Sequence, residues 1–166
     1  NQQSSTDSVI FQSVQRVLKA NGIPWEALDI SKGQHYSLID GSGNPLYSTI
    51  LINAPGTNID AQNANAITNV VSMGAGAIGL LPDYVNPQLA SIFGITTIGL
   101  SWKISEGILI ERDEFTFAYA GQTLKEPGML LLNHSISSNA LVVAHDTVQG
   151  LPAIWVYHYA SGKTVF

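Results

Sequence analysis

Apolar residues recur at helical spacing near the start of the chain. Ile10, Val14, Val17 and Leu18 share one face, Asp7 can cap the run, and Asn21-Gly22 closes it. After Pro24 the stretch WEALDI (Trp25 to Ile30) reads as a strand, and Lys32 to Pro45 carries the turn formers of a surface loop. STILIN (Ser48 to Asn53) is an unbroken apolar run, as expected of a strand covered on both faces. Asp60 then caps a second helix whose apolar positions include Ala64, Ile67, Val70 and Val71. AIGLL (Ala77 to Leu81) follows as a short buried strand stopped by Pro82, and a short helix is predicted from Asn86-Pro87 to Gly94. Alternation of α and β elements to this point predicts a parallel sheet with helices on both faces.

Beyond Gly94 the rhythm changes to short β-like runs, GILIE, FTFAYAG, MLLL and ALVVAHD, divided by Gly, Pro and charged residues. In the closing stretch Ile154, Val156 and His158 alternate with Trp155, Tyr157 and Tyr159 before the turn ASGK, which predicts a β-hairpin. No internal repeat or low-complexity linker divides the chain, so residues 1–166 are read as a single α/β domain. The chain opens on a helix, whereas a sheet of this type normally opens on a strand, and it stops inside an apolar strand. One domain of a longer protein is therefore expected.

Ser72 to Val85 contains Gly74, Gly76 and Gly79 in the spacing G-x-G-x-x-G. A dinucleotide site needs a strand before such glycines and a helix after them, so that the pyrophosphate meets a helix N-terminus. Here the order is helix, glycines, strand. The positive end of the helix lies at the wrong end of the loop, and Gly74 is expected to end the helix in the left-handed conformation.

Composition narrows the function. Charged residues make up 11% of the 166, less than half the usual share, and the net charge is −5 without a cluster of Lys or Arg. Nucleic acid is thus not an expected partner. No apolar run approaches the ~20 residues of a membrane span. The absence of cysteine excludes thiol nucleophiles and disulfides. A surface rich in amides and hydroxyls leads us to expect an extracellular or secreted location, where sugars are frequent ligands.

Three stretches together resemble the class I glutamine amidotransferase-like superfamily, in particular its non-catalytic members. They are VLKANGIPWEALDIS, then STILINAP with ITNVVSMGAGAIGLLPDYV, and finally GLPAIWVYHYASGKTVF, covering about half the chain. The resemblance implies a flavodoxin-like or amidotransferase-like, largely parallel sheet between helices with a late antiparallel extension. Active members place a cysteine on the turn after the strand equivalent to AIGLL, and a histidine paired with a glutamate near the end. This chain has Pro82-Asp83-Tyr84 at that turn, so amidotransferase activity is not implied. Related inactive domains serve as accessory modules of secreted carbohydrate-active enzymes, some binding sugar and some used for oligomerisation.

The expected function is therefore a non-catalytic accessory domain of a larger extracellular carbohydrate-active protein, binding polysaccharide. Its partners would be that polysaccharide and the other domains of the parent chain. Ligands of open α/β sheets collect at the carboxyl ends of the strands. Asp83 and Tyr84 follow one such strand and Asn53 another, offering a carboxylate, an aromatic face and an amide. A structural or oligomerisation domain is the first alternative. A hydrolase using Asp83 or the adjacent pair His145-Asp146 is the second. No metal or cofactor is expected, since His134, His145 and His158 lie on separate segments without a short ligand spacing. Trp155, Tyr157 and Tyr159 share one face of the last hairpin, and that row is expected to be covered by a helix.

Overall fold

The computed structural model describes residues 5–30, 33–53, 59–80, 87–99, 101–112 and 119–166. Helix α1 (Ser5–Ala20) ends as its sequence predicts, with the Asn21 N–H bonded to Val17 O at 3.1 Å and Gly22 at φ +64°. Phe11 and Val17 on this helix are 38% and 60% exposed, while Val14 and Leu18 are half-buried. Trp25 is also exposed, and its ring meets Phe11 edge-on.

Trp25 to Ile30 does not form the expected strand. A strand is a pairing property, and no ladder partner flanks this stretch among the described residues. Side chains anchor it instead. The Tyr47 hydroxyl donates to Glu26 at 2.6 Å and the Tyr36 hydroxyl to the Asp29 carbonyl at 3.2 Å, while Leu28 and Ile30 pack against the core.

The next unit follows the predicted order of strand, helix and strand. β1 (Thr49–Asn53) leads to α2 (Ala61–Ser72), which leads to β2 (Gly76–Leu80). Asp60 caps α2 by accepting the Asn63 N–H at 2.8 Å. At the other end Ala75 N–H bonds Val70 O at 3.1 Å and Gly74 N–H bonds Val71 O at 3.0 Å, with Gly74 at φ +113°. This double closure needs a residue in the left-handed region, which glycine enters without a Cβ penalty. The glycine-spaced segment therefore ends a helix, as predicted.

α3 (Pro87–Ile92) precedes β3 (Ile95–Thr97), then β4 (Trp102–Ile110) and β5 (Thr123–Leu132). Residues 113–118, which include the first four of the expected run Phe115 to Gly121, lie outside the described residues; Ala120 and Gly121 form a turn. β6 (Ser135–Ile136) pairs with β3 as a small separate sheet. β7 (Leu141–Asp146), β8 (Pro152–Tyr159) and β9 (Gly162–Val165) complete the chain, the last two as the expected hairpin.

The main sheet runs β1-β2-β9-β8-β7-β4-β5. Pairing is parallel for β1–β2 and β2–β9, and antiparallel for the other four neighbours. The fold is mixed α/β, and the expectation of a largely parallel sheet is corrected. The late β segments do not append to a finished parallel sheet; they make up most of it. β1, expected to be covered on both faces, is an edge strand with Leu51 36% exposed.

One face of the sheet carries the core. Ile50 and Ile52 of β1 pair in register with Ala77 and Gly79 of β2, and Ala77 with Thr164 of β9. The Thr164 hydroxyl donates to Ile92 O of α3 at 2.7 Å, placing α3 over this face. Gly79 is held close beneath the aromatic rings, since a Cβ there would stand 2.9 Å from the Phe166 ring and 3.2 Å from Phe93.

Candidate functional site

The carboxyl ends of β1 and β2 lie side by side, because Asn53 is in register with Leu80. The sequence-based pairing of these two strand ends is thus present in the fold. Asp83 and Tyr84 lie outside the described residues. Asn53 can be placed. Its Oδ1 is buried and accepts no hydrogen bond among the described residues. By strand alternation it belongs to the face opposite Gly79 and the Phe166 ring.

The same edge holds the start of α2, reached from Asn53 through the β1–α2 connection. Asp60 Oδ1 there lies 3.6 Å from His35 Nδ1, and Oδ2 accepts the Asn63 side-chain N–H at 2.9 Å. The Asn63 backbone N–H, the Asn63 amide and the nearby His35 hold the Asp60 carboxyl below its ordinary pKa, against a smaller desolvation effect. Asn63, itself buried, also donates to Gln34 O at 3.0 Å, which ties the Gln34–Tyr36 loop to the helix.

An aromatic cluster occupies the other face. Phe166 stacks on Trp155 with centroids 4.6 Å apart and meets Phe93 at 5.1 Å and His134 at 5.8 Å, both edge-on. The Gly99 N–H donates to His134 Nδ1 at 3.0 Å, so in the neutral ring the proton sits on Nε2, which is buried without an acceptor among the described residues. Burial lowers the pKa of this imidazole. Trp155 is 2% exposed, with its Nε1–H on Phe93 O at 2.8 Å. Tyr157 and Tyr159 pack partly buried against the same core, so the hairpin row is covered.

The pair His145-Asp146 is separated by the strand. Asp146 is buried and spends its carboxylate on the turn that follows, accepting N–H bonds from Val148 at 2.8 Å, Gln149 at 3.0 Å and Leu151 at 3.0 Å. Burial alone would raise its pKa; these backbone donors and Ser105 outweigh it, and the net shift is downward. Asp146 is thus a turn-holding carboxylate and does not orient the neighbouring imidazole. His145 instead faces Glu111, with Nδ1 3.0 Å from Oε2. Sequence reading missed Glu111. Its place beside His145 comes from strand register, with Leu109 opposite His145 and Glu111 two residues further on the same side.

No protein-family model matches the chain, and no curated protein matches it. Solved structures do. A ThuA-like protein from Bacteroides uniformis, of the class I glutamine amidotransferase-like fold, aligns with 99% of this chain and 76% of its own at TM-score 0.64 and 11% identity. A cytoplasmic protein from Salmonella typhimurium aligns with 72% of this chain at TM-score 0.54 and 16% identity. The likeness is one of fold. A second Salmonella cytoplasmic protein gives TM-score 0.53 at 15% identity. The chain spans 58% and 59% of the length of these two proteins. A β-galactosidase from G. stearothermophilus aligns at TM-score 0.51 and 13% identity, over 72% of this chain and 18% of that enzyme.

These likenesses correct one expectation. Two structures of similar fold are named cytoplasmic proteins, which points away from an extracellular location. Amides and hydroxyls keep a low-charge surface soluble in any aqueous compartment, so composition did not mark one. No described helix is long and apolar enough to cross a membrane.

Proposed function

We propose that this chain is a non-catalytic domain on the amidotransferase-like fold that binds a neutral carbohydrate for a larger carbohydrate-active protein. The observation that carries the proposal is the Asn53 side-chain oxygen at the carboxyl end of β1, buried and without a donor among the described residues. An unsatisfied buried acceptor costs about 1–3 kcal/mol, which a ligand hydroxyl would recover. Sugars supply such hydroxyls without charge, in keeping with a chain that is only 11% charged. The β-galactosidase likeness, 18% of that enzyme's length, supports a role as one module among several. Asp83 and Tyr84, in the chain segment after β2, would supply a carboxylate and a stacking face. With no cysteine in the chain, thiol-based transfer of the amidotransferase kind has no nucleophile.

Titration calorimetry against galacto- and manno-oligosaccharides tests this reading. Affinity for one series in the micromolar to millimolar range is expected, since each contact contributes only about 1 kcal/mol net. Asn53→Ala should weaken it several-fold with melting unchanged. A folded chain that binds neither series, or binds equally well as Asn53→Ala, refutes the site.

Exposed apolar residues favour a second reading, a domain that assembles with another copy or domain. Phe11, Val17, Ile23 and Trp25 are 38%, 60%, 49% and 45% exposed on α1 and the segment after it. Light scattering would show a dimer on this reading, and Val17→Lys would dissolve it.

A further inference from the structure

β1 is one edge of the main sheet, and its outer side carries no ladder among the described residues. The direction of its free backbone groups follows from one bond. Gly76 N–H donates to Ser48 O at 2.8 Å, and a parallel ladder takes alternate residues of each strand. Ser48, Ile50 and Ile52 therefore turn their groups to β2. Thr49, Leu51 and Asn53 each present an N–H and a C=O to the outside. Such a row is a template for another strand.

The two edges of the sheet differ. β5, at the far edge, includes Lys125, Glu126 and Pro127, residue types that discourage pairing. β1 reads TILIN, without charge or proline, and Leu51 at its centre is 36% exposed. The pattern is also the same from either end, with polar residues flanking apolar ones. An antiparallel pair of β1 strands about a two-fold axis at Leu51 sets Leu51 against the partner's Leu51. Ile50 then faces the partner's Ile52, and Thr49 the partner's Asn53. In an antiparallel ladder alternate residues exchange both bonds, and in this register those are Thr49, Leu51 and Asn53, whose groups are free. Moving the axis off Leu51 leaves outward groups of the strand unpaired.

We propose that two copies of this chain join edge to edge through β1, antiparallel about a two-fold axis at Leu51, into one continuous sheet. The joint uses the same patch on both copies, so it closes at a dimer. It rests on the second reading above, that copies of the chain assemble, and names where they meet. The strand of five residues alone falls short of the roughly 1,200 Å² of a specific interface, and neighbouring surface adds to it. Leu46, three residues before β1, is 51% exposed. Trp25, 45% exposed, is held near the same end of the strand by the bond between Tyr47 and Glu26. Pairing takes up only the backbone of Asn53, and the axis, perpendicular to the sheet, sets both Asn53 side chains on one face.

Light scattering and amide hydrogen exchange on the full chain, at concentrations up to about 1 mM, test the proposal. A dimer is expected, with the amides of Thr49, Leu51 and Asn53 exchanging more slowly as it forms. Ile50 and Ile52, already bonded to β2, should not change. Leu51→Lys and Leu51→Glu each set like charges opposite one another and should raise the dissociation constant about ten-fold or more. An equimolar mixture of the two variants should restore the dimer, since position 51 faces itself across the axis. Melting curves establish that the variants are folded, and exchange in the wild type reads the joint without any substitution. A wild type that stays monomeric at about 1 mM overturns the joint and the assembly reading together. A dimer that Val17→Lys dissolves and Leu51→Lys does not overturns the joint alone. So does a dimer whose Leu51 amide exchanges as fast as in the monomer, or a pair of folded variants whose mixture stays monomeric.

Discussion

Asp146 is the carboxylate whose role the structure changes most, and its removal has a size that can be worked out. Three backbone N–H groups, from Val148, Gln149 and Leu151, converge on it at 2.8, 3.0 and 3.0 Å. A hydrogen bond to a charged acceptor contributes about 1.5–3 kcal/mol. The three share one carboxylate, and in a truncated side chain their donors regain water, so the sum overstates the loss. We take about 3 kcal/mol for Asp146→Ala and about half for Asp146→Asn, which keeps one acceptor oxygen. For a domain of this size that corresponds to a melting point lower by about 6–12 °C in the alanine variant. The pH dependence has a definite sign. The folded carboxyl titrates below its ordinary value, so its stabilisation is fully present above about pH 4 and is lost as pH falls through the folded pKa. Thermal denaturation of wild type and both variants, at neutral pH and again near pH 3, is the assay. Asp146→Ala melting within a degree or two of wild type at neutral pH would refute the turn-holding role. So would a difference that persists undiminished in acid.

Gly79→Ala places a Cβ against the Phe166 and Phe93 rings and should cost about 1–3 kcal/mol, read from urea denaturation. A neutral effect would mean that the aromatic cluster yields freely. His134 is held neutral by burial, so its contribution to stability is present above about pH 6.5 and lost as pH falls through its lower folded pKa. Wild type should lose stability as pH falls below about 6.5 by a step that His134→Gln lacks, and parallel profiles would contradict this.

Elements whose boundaries depend on local chemistry were legible in the sequence. Asp60 and Gly74 mark the two ends of α2 because capping needs only neighbouring residues. The hairpin of β8 and β9 was equally plain from its alternation. Trp25 to Ile30 has strand-like composition but lacks a ladder partner, and composition does not report pairing. Strand order was hidden for the same reason: β9, last in the chain, lies parallel beside β2, and the four antiparallel pairings beyond it make up most of the sheet. At the candidate site, Asn53 beside the end of β2 followed from the β–α–β order. Its unpaired oxygen did not, because satisfaction depends on every residue that surrounds it. Glu111 escaped notice because only the β4–β7 register brings it to His145. Adjacency in sequence favoured Asp146, whose side chain strand alternation turns away.

Chemical-shift mapping of the isotope-labelled chain with the oligosaccharide series tests carbohydrate binding at the strand ends most directly. Amides of Asn53, Leu80 and Asp60 should move progressively as ligand rises toward ~10 mM, a range suited to weak single-domain affinity. Resonances of β4 and β5, at the far edge of the sheet, should stay fixed. Perturbations confined to β4 and β5, or none at saturating ligand, would contradict a carbohydrate site at the carboxyl ends of β1 and β2.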